Sequence, residues 1–222
     1  MTAEFASDDV KELCVYDVGR KPRPVISVGG DLRCFQERFY RNCLRHRMKP
    51  SAFSFGCVPG RHIVANASRH LGNRYVYKTD ISNFYPSISI DRVNRLFLKQ
   101  LRCSPEVSSI LTRLCTYDFH LALGLVTSPV LADQILLKLD GRIAGLCRVY
   151  DARYSRFVDD IAISANFDIE RTPIPQKVEE ILESHGLRTH PNKTGGGHGN
   201  RMFRRLGMRC RCRRGWLRPS RL

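Results

Sequence analysis

Two adjacent carboxylates, Asp159 and Asp160, lie between two short β-prone runs in Tyr154-Ser155-Arg156-Phe157-Val158-Asp159-Asp160-Ile161-Ala162-Ile163-Ser164. Aromatic and β-branched residues on either side predict two strands joined by a tight turn, with the aspartates at its tip. Neighbouring like charges repel unless a cation sits between them, so the tip reads as half of a metal site. A solvated Asp-Asp turn is the other reading of the same residues. A third carboxylate, Asp80, ends the alternating run Tyr75-Val76-Tyr77-Lys78-Thr79-Asp80. It is either a site residue at a strand terminus or an N-cap for the turn that follows. Three such groups on a basic chain suit metal-assisted phosphoryl transfer on nucleic acid. Two divalent ions about 4 Å apart activate a 3′-hydroxyl and stabilise the leaving pyrophosphate, and oxygen ligands with room for water suit Mg²⁺.

The basic character of the 222-residue chain is pronounced: 37 Lys+Arg against 21 Asp+Glu give a formal net charge of +16. That excess predicts a polyanionic partner, nucleic acid in preference to a membrane surface. A hydrophobic share of 42% fits a globular protein and excludes a disordered tail. No apolar run approaches the roughly 20 residues of a transmembrane helix. The start, Met1-Thr2-Ala3-Glu4-Phe5-Ala6-Ser7-Asp8-Asp9, has the wrong charge for a signal peptide, so a cytoplasmic protein is expected. Nine cysteines, odd in number and scattered through apolar segments, read as small hydrophobes and not as a disulfide framework. Only Cys210 and Cys212 come close together, and the lack of a second pair argues against zinc.

The elements that must position the carboxylates follow from periodicity and punctuation. Residues 1 to 20 carry little pattern and read as a partly ordered lead-in. Basic residues then precede a β-branched run ending at Gly29-Gly30, a strand of a hairpin. From Leu32 to Arg47 apolar residues at helical spacing alternate with five arginines, giving an amphipathic helix whose basic face is a solvated surface or a backbone clamp. A glycine- and proline-punctuated loop, Phe55 to Val64, leads into a helix containing Asn66-Ala67-Ser68-Arg69-His70, and Arg61 near its start suits a phosphate. Helices are predicted from Asp91 to Arg102 and from Ser104-Pro105 through Leu114. After Gly124, a long apolar-faced helix is expected with Thr127 or Ser128 as N-cap and Pro129 in its first turn. Pro173-Ile174-Pro175 opens another helix, ending near Gly186. The stretch 191–200 is flexible in composition, Met202 to Met208 resumes alternation, and from Arg201 onward there are nine arginines and no acid. Such an end either grips phosphates or keeps an unfolded tail soluble. The whole pattern predicts an α+β fold, a sheet with helices packed on one face.

Several of these segments resemble the reverse transcriptases of bacterial retrons. Lys78 through Ile88 is similar to motif A of that family, Phe157-Val158-Asp159-Asp160 to its Tyr-Ala-Asp-Asp box, and Gly124 through Pro129 to motif B. Asn66-Ala67-Ser68-Arg69-His70 resembles the family's Asn-Ala-x-x-His element. Phe157-Val158 stands where Tyr-Ala is usual, and Leu123 where many relatives carry glutamine.

The resemblance implies an RNA-directed DNA polymerase with a right-hand fingers and palm architecture, whose ferredoxin-like antiparallel palm sheet is backed by helices. It implies fingers over 1–74, palm with interleaved fingers helices over 75–208, and an Arg-rich tail over 209–222 with the thumb largely absent. Asp80, Asp159 and Asp160 would hold two Mg²⁺ ions, and Lys193 would act as general acid toward pyrophosphate. Lys21, Arg23, Tyr85 and Gly124 would serve the nucleotide, Tyr85 as a steric gate against a ribose 2′-hydroxyl. Arg61, Asn66, His70, Thr127 and Ser128 would face template RNA. The implied partners are dNTP, a DNA product, a structured noncoding RNA and an effector or thumb-supplying protein subunit, with antiphage defence as the setting and no membrane involved. A non-catalytic RNA-binding subunit derived from such an enzyme, or a template-independent polymerase, is the alternative.

Overall fold

The computed structural model describes residues 10–15, 23–190 and 194–198. In chain order its elements are β1 (Val10–Val15), β2 (Arg23–Val28), α1 (Gly30–Phe39), α2 (Ile63–Ser68), β3 (Tyr75–Asp80), α3 (Ile90–Lys99) and α4 (Pro105–Leu114). There follow α5 (Ser128–Ile135), α6 (Leu137–Val149), β4 (Arg153–Phe157), β5 (Asp160–Ala165), α7 (Ile174–Glu183) and β6 (Gly195–His198). The chain divides into two compact units, Met1–Ser51 with Asn83–Leu137, and Ala52–Ser82 with Lys138–Leu222. Residues 52–74, grouped by the sequence with the N-terminal segment, fall in the second unit.

In the first unit β1 and β2 pair antiparallel, from Val10↔Val28 to Val15↔Arg23. β1 lies inside the stretch expected to be a lead-in: its composition is mixed, and its strand conformation comes from the hydrogen bonds of β2 and not from local preference. α1 continues through a π-helical turn, Tyr40–Leu44, and a last turn, Arg45–Arg47, so the expected helical span is met. Ile26, Val28, Leu32, Leu114, Ala122 and Leu125 form the core here. Buried Gln36 ties it together: its Nε2 donates to the Leu114 carbonyl at 2.8 Å, and its Oε1 accepts from the Val126 amide at 3.1 Å. α4 starts as expected, with Ser104 Oγ accepting from the Val107 amide. The helix expected after Pro129 is two helices, parted at Leu136, which turns with φ −87° and ψ −2°.

The second unit holds a four-stranded antiparallel sheet in the order β4-β5-β3-β6. With α6 before β4 and α7 between β5 and β6, the unit has the β-α-β-β-α-β connectivity. β6 forms from the glycine run that composition marks as flexible. Glycine brings no side chain to pack, so the ladder to β3, Lys78↔Gly195 through Tyr75↔His198, and the bond from the Gly196 amide to the Glu170 carboxylate hold it extended. Among the described residues, no helix is long and apolar enough to cross a membrane.

α6 packs on one face of β4 and β5, and the segment that follows α2 lies on the other. On one face Tyr154, Arg156, Ile161 and Ile163 are buried, with Tyr154 and Arg156 bonded to Asp140 of α6. On the other, His70, just after α2, lies fully buried between strands, its Nδ1 2.7 Å from Ser164 Oγ and its Nε2 2.6 Å from Ser155 Oγ. Burial, and then the charges of Arg69, Arg153 and Lys78, lower the His70 pKa from 6.5 to about 4. Between those values the unfolded chain takes up a proton that the folded chain refuses. Stability from this residue is therefore complete above pH 6.5 and drains as pH falls toward 4. The expected loss is roughly 3 kcal/mol. Urea unfolding at pH 7 and pH 4 checks it: His70→Gln, which has no titrating group, loses that much less stability across the interval than the parent.

Candidate active site

Asp80 closes β3 and stands directly opposite Asp160, the first residue of β5. Paired residues of antiparallel strands leave the sheet on the same face, with Cα atoms about 4.5–5.5 Å apart, so these two carboxylates share one edge. Asp159 sits beside them in the turn between β4 and β5, and its carbonyl accepts the Ile81 amide at 3.1 Å. On its other flank the Asp80 carbonyl accepts the His190 amide at 2.8 Å, and Ser82 donates to the Arg188 carbonyl at 2.8 Å. The expected hairpin is present, with its aspartates at the tip. The next helix, α3, starts at Ile90 with Ser89 at its N-cap, so Asp80 is followed by a turn and not by a helix. Asp80 is 6% exposed, Asp159 half-buried and Asp160 exposed.

Like charges facing each other across a strand pair destabilise it unless something cationic intervenes. Among the described residues no group of three or more His, Cys, Asp or Glu side chains is set to hold an ion by itself. The donors present still fit Mg²⁺, which takes hard oxygens and is held by one or two carboxylates, waters and substrate phosphates in place of an all-protein cage. Asp80 and Asp160 provide two such oxygen donors on a hydrogen-bonded edge, with Asp159 adjoining.

The turn that carries Asp159 is shaped by Val158, Arg156 and Asp140. Val158 has φ +59°, a left-handed conformation that a β-branched residue seldom adopts. Arg156 Nη1 donates to the Val158 carbonyl at 2.8 Å, while its Nε and Nη2 donate to the two carboxylate oxygens of Asp140, each at 2.9 Å. Tyr154 Oη donates to the same carboxylate at 2.7 Å. Burial above all, and then the Asp140 charge, push the Tyr154 phenol upward. A charged residue at an inward position of an otherwise apolar hairpin was the available signal for Arg156, and Asp140 in the apolar face of α6 was its match.

The loop Phe53 to Cys57 runs along β4: the Phe55 amide donates to the Arg156 carbonyl and the Arg156 amide to the Phe53 carbonyl, both at 2.8 Å. Gly56 is required there by close approach, since a Cβ at this position would lie 2.5 Å from the Val158 amide nitrogen. Cys57 follows; burial first, and then the Asp159 carboxylate, raise its thiol pKa.

Of the template-facing residues expected in this unit, His70 and Arg61 are engaged within the chain. His70 is 0% exposed with both ring nitrogens bonded to serines, so it cannot meet RNA; it fixes the segment after α2 against β4 and β5. Asn66 is buried in α2. Arg61 donates to the Ser54 carbonyl and lies 5.6 Å over the Phe55 ring, bracing the loop beside the turn; His62 caps α2.

Tyr85, Gly124, Thr127 and Ser128 belong to the first unit. Tyr85 packs on Phe84 with ring centroids 5.0 Å apart and is 9% exposed. Gly124, left unexplained by capping, has φ +107°, and a Cβ on it would lie 2.2 Å from the Ile26 carbonyl oxygen of β2. Thr127 stands at the N-cap of α5, but neither it nor Ser128 makes the expected capping bond; both hydroxyls are buried. Arg23 pairs with Val15 in the hairpin, and its side chain lies outside the described residues, as do Lys21, Lys193 and the arginine-rich end.

The family model for reverse transcriptase (RNA-dependent DNA polymerase) matches residues 17–210. The chain belongs to that family. Among curated relatives, the retron Ec86 reverse transcriptase of Escherichia coli is 30% identical over 175 residues, covering 79% of this chain and 54% of the relative. The retron Ec48 reverse transcriptase of Escherichia coli is 30% identical over 208 residues, covering 86% and 50%. The retron Mx65 reverse transcriptase of Myxococcus xanthus is 30% identical over 181 residues, covering 73% and 42%. The chain thus spans about half the length of the curated reverse transcriptases it matches. A solved structure of apo telomerase from Candida tropicalis, truncated from its C-terminal domain, superposes with a TM-score of 0.57 at 12% identity, over 85% of this chain and 50% of that one. The mixed helix and strand fold with antiparallel sheets is that of this class of polymerase.

The contact between the Gly56 loop and the turn of this reverse transcriptase relative is testable by itself. Gly56→Ala forces the Val158 backbone or the loop to move, and overpacking of this kind costs about 1–3 kcal/mol. Denaturant unfolding of the variant checks the loss.

Proposed function

We propose that this chain carries the polymerising centre of a retron-type reverse transcriptase, extending a primer on an RNA template with dNTPs. The observation that carries the reading is the pairing of Asp80 with Asp160 while the Asp159 carbonyl accepts the Ile81 amide, which brings acidic residues from two distant parts of the chain to one sheet edge. Asp80, Asp159 and Asp160 are the proposed holders of two Mg²⁺ ions. When bound, such ions lower the pKa of the primer 3′-hydroxyl and neutralise charge on the triphosphate.

The chain's own groups orient and exchange protons. The half-buried Asp159 and exposed Asp160 let a substrate phosphate approach, while the buried Asp80 keeps its carboxylate fixed from behind. In this proposal Lys21 and Arg23 hold the triphosphate by charge-assisted hydrogen bonds, Tyr85 presses its aromatic face on the sugar, and Gly124 lets backbone lie close to the nucleotide. Lys193 donates the proton that pyrophosphate takes on leaving. Asn66, Thr127 and Ser128 serve the template side. The fingers and palm assignment, with a ferredoxin-like palm sheet in the second unit, belongs to the same reading. So do copying of a structured noncoding RNA, an effector or thumb-supplying subunit, and antiphage defence, each through the family resemblance.

One observation favours a non-catalytic RNA-binding subunit: among the described residues no three acidic or sulfur and imidazole side chains converge on one point. Primer extension separates the two. On an RNA template with annealed primer, the chain is expected to add complementary deoxynucleotides only with Mg²⁺, product sequence following the template. Asp159→Asn and Asp80→Asn are each expected to lower the rate by several kcal/mol of barrier, on the order of 10³-fold, with folding intact. Extension by Asp159→Asn at the parent's rate overturns the reading.

A further inference from the structure

The left-handed Val158 sits directly before Asp159, and a non-glycine residue in that conformation persists only where its surroundings over-determine it. The main determinant is a side chain reaching back from two residues earlier. Arg156 is 1% exposed and forks onto Asp140, itself 1% exposed, leaving Nη1 aimed at the Val158 carbonyl. A buried ion pair is a poor device for stability alone, because apolar residues of similar volume serve that end as well or better. What apolar residues cannot do is hold a carbonyl in a chosen direction. Lysine cannot do the whole task either, since its single ammonium lacks the planar fork that serves a carboxylate on one edge and a carbonyl on another.

We propose that the buried Asp140–Arg156 pair is a positioning device for the polymerising centre: it pins the Val158 carbonyl and thereby fixes the turn from which Asp159 reaches a divalent cation. The inference rests on the proposed role of Asp159. Neither Arg156 nor Asp140 touches substrate. Asp140 aims the guanidinium, Tyr154 Oη aims Asp140, and the guanidinium sets the turn.

Mn²⁺ alone is a suitable probe, its binding to the full chain followed by loss of the free-ion paramagnetic resonance signal, with thermal unfolding run on the same samples. The variant Asp140→Leu/Tyr154→Phe/Arg156→Met replaces the buried polar group by apolar side chains. It is expected to unfold cooperatively at or above the parent's midpoint, yet to bind Mn²⁺ about 10-fold or more weakly, the size typical for losing a group that orients a metal ligand. Arg156→Lys is expected to show the same weakening, and carries the test alone if the apolar variant does not fold. A folded variant with the parent's Mn²⁺ affinity overturns the positioning role. Asp159→Asn is the control that separates the two ideas. If it binds Mn²⁺ as the parent does, the assignment of Asp159 as a ligand fails; if it loses binding while the apolar variant keeps it, only the positioning role fails.

Discussion

The register of β3 against β5 is the constraint on which the rest of the second unit depends. Six pairs, from Tyr75↔Ala165 to Asp80↔Asp160, place one acidic residue opposite another at the end of the ladder. Side chains alternate with a period of two, so a slip by one residue would turn Asp80 to the opposite face from Asp160 and bury what is now exposed. The register is specified by burial: Ile161, Ala162, Ile163, Ser164 and Ala165 are all buried, leaving β5 no face that tolerates exchange. The energy that fixes the acidic edge therefore comes from apolar contacts further along the strands, while the edge itself bears the repulsion of like charges.

Polar groups buried on both faces of β4 and β5 add direction to that apolar register. His70 joins Ser155 of β4 to Ser164 of β5 on one face, and Asp140 joins Tyr154 to Arg156 on the other. A slide of β4 against β5 would part His70 from one of its two serines, while the Asp140 bonds, both made to β4, fix that strand against α6. The two clusters differ in what they can sense. The His70 ring is neutral when folded, with its pKa held near 4 by burial, whereas the guanidinium of Arg156 keeps its charge and points it at Asp140.

The paired aspartates, the strand ending at Asp80, the Ser104 cap and the family resemblance were legible in the sequence because each is local. A turn needs polar residues at its tip, and Ser104-Pro105 caps α4 whatever lies around it. β1 and β6 were not legible, since valines among charges and a run of glycines become strands only through partners far along the chain. The same reason hid the function of His70. An Asn-Ala-x-x-His element announces that a histidine matters, but only the arrangement of β4 and β5 shows both nitrogens turned inward. Gly124 is a middle case: a glycine outside any cap invites explanation, and the explanation, a β2 carbonyl 2.2 Å from where its Cβ would be, is a contact 98 positions away in sequence by 124 − 26. The break at Leu136 left no mark at all, because leucine favours the helix it interrupts.

Connectivity adds a last step. The chain enters the second unit between Ser51 and Ala52, leaves it between Ser82 and Asn83, two residues after Asp80, and returns at Lys138, two residues before Asp140. Asn83 takes φ +46° at the second crossing, a conformation asparagine tolerates better than most residues. The last two crossings thus abut residues that bear on the acidic edge, one a proposed ligand and one the anchor of Arg156. Asp80 is tied by its own peptide group to 190 and by that of Ile81 to 159, so a pull transmitted through Ser82 meets two hydrogen bonds before it reaches the carboxylate. Asp140, by contrast, is held through its side chain by Tyr154 and by both edges of the Arg156 fork, and a shift of α6 would act on the Val158 carbonyl directly. Of these last two covalent links, the one through α6 is the more closely coupled to the turn that bears Asp159.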